Sequence, residues 1–442
     1  MHNKQKKTLS CEALHHSVYL APNELRHCCK RFFVNGEKKG DVKIFPVKSE
    51  KDITEKSILD AKKKLYEKIN NGEKNPCTGC PYLYRDHWPE FNKLSIKQLS
   101  IENTSVCSMK CSYCSDMYYG GLKSNYDLGK VFKKLENSQI FSDEINISWG
   151  GGEPLLIENF EKNFEEITSK IDPKKPIKNM VYSNAIKHSK VLENFLKKGL
   201  ATLTTSIDAG TEEVFKKIRG VKGMMKVFEN LKKYNDAAKK GIIIKYIFTN
   251  ENYYKNEVQK FIENCENYNL LNCSFQISSN FEDENITSEV VEAAFEMYFK
   301  LKSKGVNYIF FDYHLRPRIN EIIWTKSKEN DNNFIKNHLQ NSNLDITKDT
   351  NIVLWGAGET ARRIIKNNYF FKLPNVKIHY FVDEDTKKIG KKLNGISVKH
   401  PESLKDNNFR IVISTSIFYE EIINKMKNLN ISETRLINDL VF

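Results

Sequence analysis

The chain has 442 residues, of which 40% are hydrophobic, and a formal net charge of +14. This length predicts two to four domains. Neither an apolar signal core near the start nor a run of eighteen apolar residues is present, so we expect a cytoplasmic protein with no membrane span. Lys and Asp/Glu are mixed throughout, and no basic stripe is interleaved with aromatic residues. The positive charge is therefore interpreted as spread over solvent-exposed faces, and no nucleic-acid partner is expected.

The N-terminal region, residues 1–95, is rich in cysteine. It contains Cys11, Cys28, Cys29, Cys77 and Cys80, the last two in a C-x2-C knuckle. Between them the sequence predicts a hairpin with a glycine turn over residues 33–44 and a helix over residues 55–70. Ten cysteines in a reducing compartment favour metal or redox chemistry over disulfides.

Residues 95–285 alternate between strand and helix patterns. This alternation predicts parallel βαβ units with right-handed connections and helices covering the sheet. The predicted strands are 99–102, 144–149, 180–182, 202–207, 242–247 and 274–277, with helical patterns such as 191–198 and 212–218 between them. The fold class predicted from this pattern is α/β.

A short loop after the first of these strands contains Cys107, Cys111 and Cys114 at C-x3-C-x2-C spacing. Closely spaced thiolates select iron–sulfur clusters, zinc or copper(I). A closed structural zinc site needs four ligands, and no fourth Cys or His is nearby in the sequence. Three thiolates on a four-iron cluster leave one iron open to a small chelating molecule, so this loop predicts an iron–sulfur site.

The second strand ends in a glycine-rich turn, Gly150-Gly151-Gly152-Glu153-Pro154. With the three-cysteine loop, and with Tyr113 in its aromatic slot, the chain resembles the radical S-adenosylmethionine (radical SAM) enzymes. The resemblance implies a partial (β/α)6 barrel over residues 96–322, with a [4Fe-4S] cluster on the three cysteines and S-adenosylmethionine (SAM) bound to it. It also implies an electron donor such as flavodoxin or ferredoxin, and a deoxyadenosyl radical that abstracts hydrogen from the substrate.

Polar residues follow the carboxyl ends of several predicted strands, where barrel enzymes carry their function. The resemblance assigns the turn after the second strand to the SAM amino group, the later strand ends to the ribose side, and one arginine to the SAM carboxylate. The residues so assigned are Gly151, Gly152 and Glu153 (amino group), Ser183, Asn184, Ser206 and Asp208 (ribose side), and Arg219 (carboxylate). Tyr113, in the aromatic slot of the cysteine motif, is also expected to contribute to cofactor binding.

The order of cysteines, glycines, helix and knuckle in residues 1–95 resembles the SPASM-type modules that hold an auxiliary iron–sulfur cluster in many radical SAM enzymes. In most of those enzymes the module follows the barrel, whereas here it precedes it. The resemblance implies an auxiliary cluster on Cys11, Cys28, Cys77 and Cys80, with Cys29 competing with Cys11. A zinc knuckle with the same ligands is the alternative.

The C-terminal region begins after a polar stretch, residues 323–350, that predicts a linker. Residues 351–442 then show a strand running into Gly356-Ala-Gly358-Glu-Thr-Ala361, and a second strand that ends at Asp383. A G-x-G-x-x-A turn with an acid at the next strand end is typical of nucleotide-binding units. The segment resembles Rossmann-like modules appended to sugar-modifying and methyl-transferring enzymes. Gly356, Gly358 and Asp383 either bind a nucleotide or form part of a scaffold.

The most consistent interpretation is a radical SAM enzyme of three modules. Its substrate is either a sugar or other small precursor of surface polysaccharide or secondary metabolism, suggested by the C-terminal module, or a ribosomally made peptide, suggested by the auxiliary module. With no separate peptide-recognition domain in the sequence, the small molecule is favoured. An iron–sulfur redox sensor is the non-enzymatic alternative, and the intact glycine turn argues against it because a sensor does not need a SAM site.

Overall fold

A computed structural model of the chain describes residues 7–114, 120–157, 159–169, 178–238, 240–282 and 285–312. Further along it describes residues 315–316, 318–319, 350–358, 361–362, 365, 371, 376–406, 411–414, 419–432 and 436–437. The chain divides into two compact units. The first unit is Met1–Cys273 with Asn280–Asn285, and the second is Ser274–Ser279 with Ile286–Phe442. The predicted linker over residues 323–350 lies outside the described residues apart from Thr350, which begins a strand.

Most helices of the first unit begin at a polar residue whose side chain accepts a backbone N–H of the first turn, as Thr54, Asp127, Ser189 and Thr211 do. The helices are α1 (Glu12–His16), α2 (Glu55–Asn70), α3 (Leu128–Asn137), α4 (Phe160–Ser169), α5 (Lys190–Lys197), α6 (Glu212–Arg219), α7 (Met224–Ala237), α8 (Lys255–Asn267), α9 (Ser288–Ser303) and α10 (Tyr419–Asn428).

Strands occur in both units. The strands of the first unit are β1 (Thr8–Ser10), β2 (Ser17–Leu20), β3 (Glu24–Arg26), β4 (Arg31–Val34), β5 (Glu37–Gly40), β6 (Lys43–Pro46), β7 (Tyr84–Asp86), β8 (Ile96–Ile101), β9 (Phe141–Trp149), β10 (Lys178–Tyr182), β11 (Ala201–Ser206) and β12 (Ile242–Phe248). Those of the second unit are β13 (Ser274–Ser279), β14 (Ile309–Phe311), β15 (Thr350–Trp355), β16 (Val376–Val382), β17 (Lys392–Leu393), β18 (Ile396–Lys399), β19 (Ile411–Ser414) and β20 (Leu436–Ile437).

In the first unit a sheet runs in the order β12-β11-β10-β9-β8-β2-β3-β6. From β8 to β12 each strand is parallel to the next. Strands of a parallel sheet have both faces buried, which explains runs such as Ile-Ile-Ile-Lys-Tyr-Ile-Phe in β12. The prediction of an α/β fold with a parallel sheet is therefore confirmed, and each of the six predicted strands is present with ends shifted by at most three residues.

The N-terminal region also contributes strands to this sheet, which the sequence did not indicate. Strand β2 pairs parallel with β8, β3 pairs antiparallel with β2, and β6 pairs antiparallel with β3. The predicted hairpin is present as β4 and β5, with Asn35 and Gly36 in left-handed conformations at its turn. Whether residues 1–95 form a SPASM-like module stays a prediction.

The C-terminal part of the second unit is a sheet in the order β17-β18-β16-β15-β19-β20. Apart from the antiparallel β17–β18 pair, its strands are parallel. Its core includes Val353, Trp355, Tyr380 and Met426. The helix predicted after Gly358 lies largely outside the described residues, and the assignment as a Rossmann-like domain stays a prediction. No helix in the described part of either unit is long and apolar enough to cross a membrane.

Candidate functional site

The carboxyl ends of the parallel strands in the first unit lie at one edge of the sheet. The register aligns them, since Ile101 lies beside Trp149, Trp149 beside Val181, and Tyr182 beside Thr204. The segments that follow these strands, which contain the cysteine loop and most of the predicted SAM residues, therefore meet at this edge.

The cysteine loop, residues 104–114, forms backbone hydrogen bonds with two separate parts of the fold. On one side, backbone N–H groups of Gly152 and Glu153 donate to the carbonyl oxygens of Thr104 and Val106, both at 2.8 Å. On the other side, the N–H groups of Lys110 and Ser112 donate to the last carbonyls of helix α6 at 3.0 and 2.8 Å. The loop is thus positioned by backbone bonds to two separate elements.

The glycine turn, residues 150–154, packs directly against the cysteine loop. A Cβ atom at Gly151 would lie 2.6 Å from the Thr104 oxygen, and one at Gly152 would lie 2.2 Å from the Val106 oxygen. Gly151 also has a left-handed φ of +93°. Both positions require glycine because backbone approaches backbone there.

Glu153 is a buried carboxylate that connects the glycine turn to the next strand end. It accepts hydrogen bonds from the Ser183 hydroxyl at 2.8 Å, the Asn184 N–H at 2.7 Å and the Leu155 N–H at 3.1 Å. Burial raises its pKa, and these donors oppose the rise. Three of the predicted SAM residues are therefore joined in one hydrogen-bonded group, whose role toward SAM stays a prediction.

Asn184 also reaches the cysteine loop. Its side-chain amide nitrogen lies 3.7 Å from Cys107 Sγ and 3.1 Å from Ser108 Oγ. Amide donors to a ligating sulfur orient the ligand and tune the centre it holds. Asn184 is thus a direct neighbour of one predicted cluster ligand.

Buried Asp208 and Arg219 form a second hydrogen-bonded group with Tyr113 of the cysteine loop. Asp208 is 0% exposed and has a left-handed φ of +65°. Its Oδ1 accepts the Ile247 N–H at 2.7 Å, while Oδ2 accepts the Tyr113 hydroxyl at 2.6 Å and Arg219 Nη1 at 2.9 Å. Arg219 also contacts the Tyr113 hydroxyl, and its Nε lies 3.2 Å from the Met109 sulfur.

The charges of Asp208 and Arg219 neutralise each other, and the Tyr113 hydroxyl forms hydrogen bonds with both side chains. Burial raises the pKa of Asp208, and Arg219 opposes that rise. Both oxygens of Asp208 are used inside the protein, so the expected contact with a ribose stays a prediction, as does the contact of Arg219 with a carboxylate. Ser206, at the end of β11, is half-buried.

The three loop cysteines fit the cluster that the sequence predicts for them. All are free and half-buried. Burial raises the pKa of each thiol, to about 12 for Cys114, where Cys111 and Cys107 add to it. Such thiols are protonated at neutral pH unless a metal binds and displaces the proton. Three soft donors in one loop, with Asn184 and the Met109 N–H directed at Cys107, suit an iron–sulfur cluster.

Four of the N-terminal cysteines share one apolar cluster. Cys11, Cys28, Cys77 and Cys80, the N-terminal cysteine group, pack with Leu14, Val42, Leu65, Ile69 and Phe91. The thiols influence one another, because burial and then Cys28 and Cys80 raise the pKa of Cys77. Cys29, the chain neighbour of Cys28, is not part of this cluster and donates a hydrogen bond to the Tyr19 hydroxyl at 3.2 Å.

The packing favours Cys11 over Cys29 as the fourth metal ligand beside Cys28, Cys77 and Cys80. The ligand set itself stays a prediction. Within the described part of the chain, no three His, Cys, Asp or Glu side chains are arranged to hold a metal ion, so the case for both metal centres rests on the chemistry and packing of the thiols and stays a prediction.

In the second unit, the glycine-rich turn that begins at Gly356 lies beside Asp383. Asp383 Oδ2 accepts the Ala357 N–H at 2.7 Å and contacts Lys388 Nζ at 3.1 Å. Gly356 has a left-handed φ of +105°. A Cβ atom at Gly358 would meet no described atom within 4 Å. The three residues singled out in the sequence thus lie together, with no described atom close to a Cβ position at Gly358.

Sequence reasoning missed Lys62, a buried residue beside the N-terminal cysteine group. A signal was present, because positions 58, 62, 65 and 69 fall at helical spacing on the buried face of α2, and three of the four are apolar. Met109, which contacts Arg219 from within the cysteine loop, carried no signal in the sequence.

Residues 101–265 match the family model of the radical SAM superfamily, and residues 348–437 match a model described as C2185-like, N-terminal. The GTP 3′,8-cyclase of Clostridium botulinum is 30% identical over 142 residues, which are 31% of this chain and 43% of that enzyme. The chain thus spans less than half the length of the curated relatives it matches.

Two solved structures are also similar to parts of the chain. SuiB of Streptococcus suis bound to SAM is 16% identical, with a TM-score of 0.39, over 59% of this chain and 57% of that chain. A radical SAM methyltransferase from Sphaerobacter thermophilus is 13% identical, with a TM-score of 0.36, over 49% of this chain and 66% of that chain.

Proposed function

We propose that this protein, whose residues 101–265 match the radical SAM superfamily model, is a radical SAM enzyme that binds SAM at a cluster on Cys107, Cys111 and Cys114 and uses it to abstract hydrogen from a substrate. The observation that carries the proposal is the cysteine loop, tied by backbone bonds to the glycine turn and to the end of α6. When bound, a [4Fe-4S] cluster with three cysteine ligands supplies the electron that cleaves SAM into methionine and a 5′-deoxyadenosyl radical.

The chain's own residues have separate tasks in this proposal. The three thiolates hold the cluster and leave one iron free for SAM. Asn184 donates toward Cys107 Sγ and orients it. Glu153 joins the glycine turn to Ser183 and Asn184, so that the backbone facing SAM keeps one shape. Asp208 and Arg219 position the loop through their contacts with Tyr113 and Met109.

A second metal centre is proposed at the N-terminal cysteine group. The support is the packing of four thiols from three separate segments into one apolar cluster. Structural zinc and an auxiliary iron–sulfur cluster both use four cysteines. We favour iron and sulfur because of the resemblance to SPASM-type modules, and metal analysis distinguishes the two.

For the substrate, we retain the sugar or other small precursor as the first candidate. Its support is the parallel C-terminal sheet, where the described residues leave room at Gly358 for a nucleotide or nucleotide-sugar. A ribosomally made peptide is the second candidate. The substrate itself is identified by whichever compound raises the yield of 5′-deoxyadenosine.

The proposal predicts that protein reconstituted without oxygen produces 5′-deoxyadenosine from SAM and dithionite, slowly when no substrate is present. Cys111→Ala should abolish this, because two remaining thiolates leave a labile cluster. Product is measured by chromatography and iron by a colorimetric assay.

Cys273→Ala is the matched control, because Cys273 is buried outside both cysteine groups and its variant should keep full turnover. Undiminished turnover in Cys111→Ala would contradict the assignment. If the wild-type protein bound iron but formed no 5′-deoxyadenosine, the redox-sensor alternative would be favoured.

A further inference from the structure

Lys62 is a buried lysine in the middle of helix α2. It is 0% exposed, and its Nζ donates to the carbonyl oxygens of Leu14 at 2.8 Å and Ser17 at 2.7 Å. None of the ion pairs found among the described residues involves Lys62. The ammonium is therefore held by two backbone dipoles and lacks a carboxylate partner in the part of the chain that the structure describes.

An unpaired buried charge is costly unless an opposite charge lies nearby. Burial lowers the pKa of Lys62 to about 7, which reflects this cost. The titratable groups around it do not supply a negative charge. The histidines near it, His15, His16 and His27, carry imidazoles, which are either neutral or cationic and cannot balance an ammonium.

The thiols of Cys11 and Cys28 are near enough to Lys62 to attract its charge once they are ionised. Leu14, whose carbonyl oxygen accepts from Lys62, donates its backbone N–H to Cys11 Sγ at 3.4 Å and packs in the same apolar cluster as Cys28. Metal binding converts thiols to thiolates. Four thiolates around a dication, whether zinc or a [4Fe-4S] core, leave two net negative charges, and Lys62 lies where it can offset part of that charge.

We propose that Lys62 is the built-in counter-cation of the metal centre at the N-terminal cysteine group. This inference rests on the proposed second centre. Helix α2 places the ammonium, the carbonyls of Leu14 and Ser17 fix its direction, and the anionic centre balances its charge. Lys62 is thus a positioning residue that stabilises the loaded centre and, in an iron–sulfur centre, favours the reduced state because that state is more negative.

The test uses the full chain with Cys107, Cys111 and Cys114 changed to Ala, so that metal at the N-terminal group is observed alone. Lys62→Gln removes the charge and keeps an amide that can donate to a carbonyl. Lys62→Arg keeps the charge. Lys63→Gln, on the exposed side of the same helix, is the matched control.

Loss of metal to a chelator is the first readout. We expect Lys62→Gln to lose metal about tenfold faster than Lys63→Gln or the parent, as outer-shell substitutions do, and Lys62→Arg to stay close to the parent. Thermal unfolding is the second readout, and Lys62→Gln should lower the stability of the loaded protein more than that of the metal-free protein.

If the metal is iron, a third readout is the midpoint potential by electron paramagnetic resonance. Removing the cation should lower the ratio of reduced to oxidised centre about tenfold at fixed potential, a shift of about −59 mV for one electron. Lys63→Gln should leave the potential unchanged.

Equal destabilisation of loaded and metal-free protein by Lys62→Gln would show a merely structural lysine and overturn the inference. So would a Lys62→Arg variant that loses metal as fast as Lys62→Gln. Absence of any metal from the parent would overturn the proposed second centre, and the inference with it, while leaving the SAM-cleaving centre untouched. With zinc in the site, the first two readouts decide.

Discussion

Asp208 shows how one buried side chain positions the cysteine loop. Its two oxygens accept from the Ile247 N–H, the Tyr113 hydroxyl and the Arg219 guanidinium, so that strand β12, the loop and helix α6 all meet on one carboxylate. Arg219 is buried as well. Breaking such a pair by removing one partner leaves an uncompensated charge inside the protein, which costs more than the pair itself contributes.

We predict that Asp208→Asn lowers the free energy of unfolding by about 3 kcal/mol or more, because the shape is kept and the charge facing Arg219 is lost. Urea unfolding of the metal-free protein measures it. Asp236→Asn is the control, since the Lys232–Asp236 pair lies on an exposed helix face and should change stability by at most about 0.5 kcal/mol. Equal effects of the two substitutions would refute the positioning role of Asp208.

Helix α6 supports the cysteine loop through its carboxyl end. The helix ends at Gly220, whose φ of +73° is left-handed, and its last carbonyls accept the Lys110 and Ser112 N–H groups. A Cβ atom at Gly220 would lie 2.7 Å from the Lys110 oxygen. Glycine is needed there both for the backbone conformation and for the close approach of the loop.

Gly199, which lies outside helix α6, is a control position for Gly220. It has nearly the same φ, +70°, but a Cβ atom there would meet no described atom within 4 Å. We predict that Gly199→Ala costs about 1 kcal/mol of stability through backbone strain alone. Gly220→Ala should cost about 1 to 3 kcal/mol more, because the loop must shift.

Iron content after reconstitution distinguishes the two substitutions further. Gly220→Ala should retain less iron at Cys107, Cys111 and Cys114, whereas Gly199→Ala should retain the wild-type amount. If both variants kept the same iron and stability, the loop would not depend on its contact with helix α6.

At the scale of the whole molecule, the predicted metal ligands and the glycine-rich turn at residues 356–361 belong to different units. The seven cysteines predicted as ligands belong to the first unit, whereas Gly356, Gly358 and Asp383 belong to the second. The free space at Gly358 makes this position suitable for a test, because a larger side chain meets no described atom.

We predict that Gly358→Val leaves the unfolding temperature, iron content and SAM cleavage of the full chain unchanged and removes nucleotide binding. Calorimetry with NAD, NADP and UDP-glucose measures binding, and Gly390→Ala, at an open turn in the same unit, is the control. A wild-type protein that binds none of these compounds would favour the scaffold alternative.

Much of the fold and of the candidate site could be predicted from the sequence, because the signals are local. The alternation of strand and helix follows from hydrophobic periodicity over short windows. The three-cysteine loop and the glycine turn are spacings within a few residues, and close thiolates carry their chemistry wherever they fold. Helix α2, predicted over residues 55–70, has those bounds in the structure.

Contacts between distant segments were decided by the tertiary structure alone. Pairing of β2 with β8 joins the N-terminal region to the central sheet, and no local pattern encodes which strands become neighbours. The sequence favoured Cys11 as the fourth ligand but left Cys29 as its competitor, and the packing places Cys11 with the other three thiols and Cys29 against Tyr19. Lys62 stands out only once its burial beside those thiols is known, because the cost of an unpaired charge depends on what surrounds it.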